Sequence, residues 1–109
     1  MKLGLAALVL SCAAGAAHAG CAGDALVRAE PLLRLHFARG GEGVPDLAIS
    51  DVVKTLPAIK APVGRGRFDV LEVRGYIYKS EYRMRFIYAQ IPNDCVLMGQ
   101  EIIELSDPY

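Results

Sequence analysis

The sequence predicts a small α+β domain in which one or two N-terminal helices pack on a three-stranded antiparallel β-meander, closed by one disulfide. Three observations carry this expectation. Apolar residues recur with a period of two from Phe68 onward, whereas helical spacing is visible before it. Two cysteines, Cys21 and Cys95, remain once an apolar leader is set aside. The remaining length, about 90 residues, is enough for one domain and no more.

The leader occupies residues 1–19. Lys2 supplies a positive start, residues 3–17 form an apolar run, and Ala17-His18-Ala19 matches the small-x-small pattern of a signal-peptidase site. The run is too short for a comfortable transmembrane helix, and no stop-transfer segment follows it. A secretory signal followed by a single domain over residues 20–109 is therefore expected, with a periplasmic destination. Cys12 leaves with the leader, so Cys21 and Cys95 form an even pair in an oxidising compartment. Their bond would close a loop of roughly 70 residues, which the chain-entropy model values at about 4 kcal/mol. The alternative is a lipoprotein anchored at Cys21, because Ala19-Gly20-Cys21 resembles the end of a lipobox; His18 stands where that pattern wants an aliphatic residue.

The whole chain has 12 Lys and Arg against 12 Asp and Glu, and loss of Lys2 leaves the mature charge near −1. Such a balance gives no field to draw the protein to nucleic acid or an anionic membrane.

Along the mature chain, Gly23-Asp24 can cap a helix over residues 25–30, which Pro31 interrupts. Residues 32–38 fit either a strand or a helix, and the helix is favoured, because Pro31 suits a first turn and Gly40 a stop. Residues 40–45 read as a loop. Ile49, Val52, Val53 and Leu56 then lie on one helical face that Ser50 or Asp46 can cap and Pro57 ends. The proline and glycine positions from 57 to 66 read as a connector. Three strands follow, over residues 68–78, 83–91 and 96–105, with turns near 79–82 and at Pro92-Asn93-Asp94.

Register decides what these strands present. If Tyr78 pairs with Arg83, then Leu71, Val73, Gly75 and Ile77 share an apolar face with Met84, Phe86 and Tyr88, and Gly75 lies opposite Phe86. If Ile91 pairs with Cys95, Met98 and Ile102 join that face and Glu101 lies beside Arg85. The other face then carries Arg74, Tyr76, Tyr78, Arg83, Arg85 and Glu101, with Glu72, Ile87, Leu97, Ile103 and Leu105 among them. Tyrosine and arginine beside aliphatic residues are enriched at protein interfaces. Either a partner or the chain's own N-terminal segment covers such a face.

The residues for chemistry are sparse. His36 is the single histidine after the leader, and no Cys or His stands at metal-ligand spacing from it, so neither a metal nor another cofactor is expected. Ser50, Ser80 and Ser106 lack a nucleophile-elbow context. Glu101 and Glu104, three apart in a strand, point to opposite faces. The stretch 64-GRGR-67 lacks the strand and last glycine of a dinucleotide loop. No catalytic residue is assigned.

The order 48-AISDVVKTL-56, a connector, then 69-DVLEVRGYIYK-79 and 82-YRMRFIYAQI-91 resembles a PepSY-type domain, a small secreted module in which a helix opening on Ile-Ser precedes an antiparallel meander. The resemblance covers about half the chain; the family's closing Asp-x-x-Thr-Gly turn is absent, and 100-QEIIELSD-107 stands in its place. It implies a non-catalytic binding or protease-inhibitory role. The expected function is thus non-enzymatic binding of a protein or envelope component through the outer sheet face. The alternatives are a small hydrolase using His36 and carboxylates, or a domain whose outer face builds a homodimer.

Overall fold

The computed structural model describes residues 20–38 and 46–106. The leader, the loop at 40–45 and the stop at Gly40 lie outside the described residues. Among the described residues one helix, α1 (Ala22–Phe37), precedes four strands: β1 (Leu47–Lys60), β2 (Arg67–Ile77), β3 (Ser80–Ala89) and β4 (Leu97–Glu104). Each strand pairs antiparallel with the next, in the order β1-β2-β3-β4. The α+β class holds. The strand count is four rather than three, because residues 47–60 form a strand and not a helix.

The reason lies in two irregularities. Between Ile49 and Val53 the strand advances four residues while its partner advances only two, from Gly75 to Val73. A second shift falls between Leu56 and Ile59, beside Pro57. Extra residues of this kind turn a period of two into spacings of three and four, which imitate a helical face. Ile49, Val52, Val53, Thr55 and Ile59 are β-branched and suit a pleated surface better than a helix. Pro57 is tolerated because β1 is an edge strand, where a missing N–H need not break the ladder.

The opposite correction applies to α1. Pro31 lies inside a continuous helix and does not divide it. Ala25, Ala29 and Leu33 are buried along one side, whereas Val27, whose carbonyl loses its N–H partner to Pro31, is 76% exposed. Water can satisfy that carbonyl, so the proline costs less than it would in a buried turn. Residues 32–37 are helical, as favoured. Asp24 lies inside the first turn rather than ahead of it, Cys21 being the N-terminal boundary residue.

The β2–β3 hairpin closes through a two-residue turn at Tyr78-Lys79, with Ile77 paired to Ser80. The register therefore differs by four residues from the expected Tyr78–Arg83 pairing. A shift of four preserves the alternation, so both faces keep their expected members. Leu71 lies opposite Phe86, and Gly75 lies opposite Tyr82 rather than Phe86. What Gly75 accommodates is the helix: a Cβ there would meet Leu33 Cδ2 at 2.8 Å and Met84 Cε at 2.9 Å.

Tyr78 takes φ 56° at this turn, a left-handed conformation that disfavours side chains, and it is 87% exposed. Replacing it by glycine removes steric cost and little packing. Tyr78→Gly is expected to stabilise the protein by up to about 1 kcal/mol, offset in part by the freer unfolded chain. Chemical denaturation measures this directly, and a loss of stability would show that the tyrosine ring packs in solution.

The β3–β4 register follows the expected pairing from Tyr82↔Glu104 to Ile87↔Gly99, then shifts so that Tyr88 pairs with Leu97. That shift exchanges two residues. Leu97 packs against the core, where Met98 was expected, and Met98 is 53% exposed. Ile91 and Cys95 flank the Pro92-Asn93 turn outside the strands.

The core lies between α1 and one face of the sheet. Ala25, Ala29 and Leu33 of the helix join Leu71, Val73, Ile77, Tyr82, Met84, Phe86 and Tyr88. The Cys21–Cys95 disulfide, with a Cα–Cα distance of 5.6 Å, ties the start of α1 to the segment before β4.

Candidate functional site

Alternation along β2 and β3 sends one set of side chains under α1 and the other to the far face. Among the described residues no helix crosses that far face. The chain's own helix is therefore not its cover. Of the six residues expected there, Arg74, Tyr76, Arg83, Arg85 and Glu101 stand on strands, on the face away from α1. Tyr78 does not: it sits at the hairpin tip, with the Lys79 ammonium 5.6 Å from its ring centroid.

An ion network organises the face. Glu72, although on this side, is only 5% exposed. Its carboxylate accepts Arg85 Nε at 3.0 Å and Arg74 Nε at 3.2 Å. Arg74 also donates through Nη1 to Glu81 at 2.6 Å. Arg83 reaches Glu101 at 3.4 Å, a longer and weaker contact, and its enclosed Nε has no acceptor among the described residues. Arg85 and Glu101 are neighbours in register, as expected, yet Arg85 spends its ion pair on Glu72. The strand alternation makes Arg74, Arg83 and Arg85 legible in the sequence. Glu81 becomes a partner only through the tighter turn, which cannot be read without the register.

Around this network lie apolar residues. Tyr76, Ile103 and Leu105 are 39%, 44% and 39% exposed. At one end, where the β1–β2 connection meets Phe68 and Met98, a groove of about 470 Å³ opens. Its walls include Ala61, Pro62 and Val63.

Burial pushes the Glu72 carboxyl up, but the hydrogen bonds from Arg85 and Arg74 outweigh that and hold it below its ordinary value of 4.5. On the helix side, Asp24 accepts both Arg28 Nε and the Tyr88 hydroxyl at 2.7 Å. The Arg28 hydrogen bond, helped by Tyr88 against the cost of burial, lowers Asp24 from 3.8. Burial, and then the bond to Asp24, push the Tyr88 phenol well above the ordinary tyrosine range. Tyr88 thus stays a neutral donor that fastens the helix to β3.

Both carboxylates bind protons less readily folded than unfolded. Their contribution to stability is full above their ordinary values and is lost as acid titrates them through the lowered folded values. The melting temperature should therefore fall as pH drops below about 4.5, more shallowly in Glu72→Gln, which has one such group fewer. Parallel curves for the two proteins would remove Glu72 from the account.

His36, half-buried near the end of α1, sits beside the core residue Tyr82. Its ring meets Tyr82 edge to face, with centroids 5.8 Å apart. Among the described residues, no group of three or more His, Cys, Asp or Glu is arranged to hold a metal ion. Neither a family model, a curated protein nor a solved structure matches this chain.

Proposed function

We propose that this is a non-enzymatic domain that acts outside the cytoplasm and binds, or inhibits, a protein or envelope component through the sheet face away from α1. The observation that supports it most is the division of labour between the two faces. The single described helix buries one of them, while the other carries Arg74, Tyr76, Arg83 and Arg85 among exposed Ile103, Leu105 and Met98. Interfaces are enriched in this mixture of aromatic, arginine and apolar groups. The Glu72 network holds two of the arginines in place before a partner arrives, which reduces the ordering cost of association.

The location rests on the Cys21–Cys95 disulfide, which persists in oxidising compartments. The disulfide occupies the Cys21 sulfur that a lipid anchor would need. No described helix is long and apolar enough to cross a membrane. The PepSY resemblance would add an inhibitory role, although the segment that would be its Ile-Ser helix is strand β1 here.

The test is retention of envelope components on immobilised oxidised protein, compared with Tyr76→Ala and Arg83→Ala. Both variants should remain folded, and each should weaken binding by more than about 1 kcal/mol, as anchor residues do. If both retain every component, the face is a solvated sheet surface and the reading fails.

A further inference from the structure

The sheet has two edges, β1 and β4, and the chain treats them differently. β1 carries Pro57, Lys54 and Lys60 and two register shifts, the devices by which natural sheets keep an edge from pairing. β4, with the sequence 97-LMGQEIIE-104, has no proline, no lysine and a single shift at its start.

The hydrogen bonding of β4 shows which backbone groups are free. Leu105 N–H donates to the Glu81 carbonyl at 2.7 Å, opposite it in register. In an antiparallel ladder the bonded pairs recur every second residue, so Ile103, Glu101 and Gly99 also turn their backbone groups toward β3. Gln100, Ile102 and Glu104 therefore turn theirs outward, and no further described strand receives them. Beside this row lies a groove of about 200 Å³ between α1 and β4, lined by Arg28, Pro31, Leu32, Leu35 and Gln100. Leu35 is 73% exposed there.

We propose that the β4 edge is a strand-addition site whose occupant is an extended, cationic segment of another protein. Main-chain bonds to Gln100, Ile102 and Glu104 supply the pairing, and alternate side chains of the incoming strand rest on the α1–β4 groove. Charge selects the occupant. No Lys or Arg occurs anywhere from Phe86 to the end of the sequence, and Glu101 and Glu104 stand on the two sides of β4. Glu104 accepts the Ser106 hydroxyl at 2.6 Å and has no cation partner among the described residues. Glu101 is met by Arg83 at 3.4 Å, and Arg28 of the groove is neutralised by Asp24 at 2.7 Å. A second copy pairing through β4 would bring four carboxylates onto two adjacent strands, whereas lysine or arginine on the incoming strand complements them. This inference stands apart from the far-face reading, because it uses the outward backbone groups of β4 and the groove on the helix side, and shares with that face only Glu101.

The experiment titrates the oxidised protein against a fluorescent ten-residue synthetic peptide of alternating valine and lysine, followed by anisotropy. Three controls accompany it. The same peptide with glutamate for lysine tests charge. Two lysine peptides, N-methylated on alternate amides along one strand edge or the other, test backbone pairing. Saturable binding of the lysine peptide is expected, with loss on one N-methylation pattern only. The glutamate peptide should bind at least about tenfold more weakly. Gln100→Pro, which removes an outward N–H and leaves the β3 bonds in place, should weaken binding similarly, and Glu104→Lys should reverse the charge preference. Equal binding of both N-methylated peptides, or no preference for lysine, overturns the proposal. A concentration-dependent dimer in sedimentation that Gln100→Pro abolishes also overturns it, in favour of a second copy.

Discussion

Phe86→Ala is expected to destabilise the protein by about 3–5 kcal/mol, the cost of removing a buried ring and leaving its cavity. Phe86 is fully buried at the middle of β3, opposite Leu71 and in the cluster that joins α1 to the sheet. For a domain this small such a loss is a large share of all its stability. Chemical or thermal unfolding measures it, and Arg83→Ala is the informative companion. Arg83 lies on the same strand with the opposite orientation, and its one ion pair is long and partly exposed. Its removal should cost under about 1 kcal/mol. If Arg83→Ala unfolds the protein as badly as Phe86→Ala, the far face is itself a packed core and the binding proposal loses its surface.

Breaking the disulfide should have an effect of the same order. Cys21 and Cys95 are 74 residues apart in sequence, and their link restricts the unfolded chain more than the folded one. Reduction, or the double change Cys21→Ala with Cys95→Ala, is expected to lower the unfolding free energy by about 2–5 kcal/mol. Cys21 is also part of the buried cluster, so the start of α1 loses both a covalent tie and its seat. An unchanged melting temperature in reductant would show that the two sulfurs do not meet in the folded protein.

The two cysteines and the phenylalanine are legible in the amino-acid sequence alone, for different reasons. The cysteine pair needs only counting. Phe86 follows from strict alternation through 82-YRMRFIY-88, where every second residue is buried. The same alternation identifies the charged face, even though the expected hairpin register is four residues off, because parity survives an even slip. What the sequence conceals is β1. Its extra residues place Ile49 and Val53 four apart on one side, and spacing cannot separate that pattern from a helix. Tertiary pairing with β2 decides it. Pro31 misleads in the other direction, because its cost depends on whether Val27's carbonyl faces water, a fact of packing. The exchange of Met98 for Leu97 arises from a shift that no periodicity reveals. The buried state of Glu72 and its two arginine partners likewise requires the neighbouring strands to be in place.

The simple strand order has a consequence for how the chain comes together. Each strand pairs with the one made just before it, so the sheet can grow hairpin by hairpin through short loop closures. The helix cannot join in that local way. It comes first in the described chain, yet its seat is built from β1, β2 and β3, and its covalent tie lies just before β4. During synthesis, then, α1 waits as an unpaired amphipathic segment with a free Cys21 thiol until nearly the whole sheet exists. Correct oxidation reports that α1 has met its seat on the sheet, before β4 need have paired, and an oxidant that acts too early has no native partner to offer that thiol.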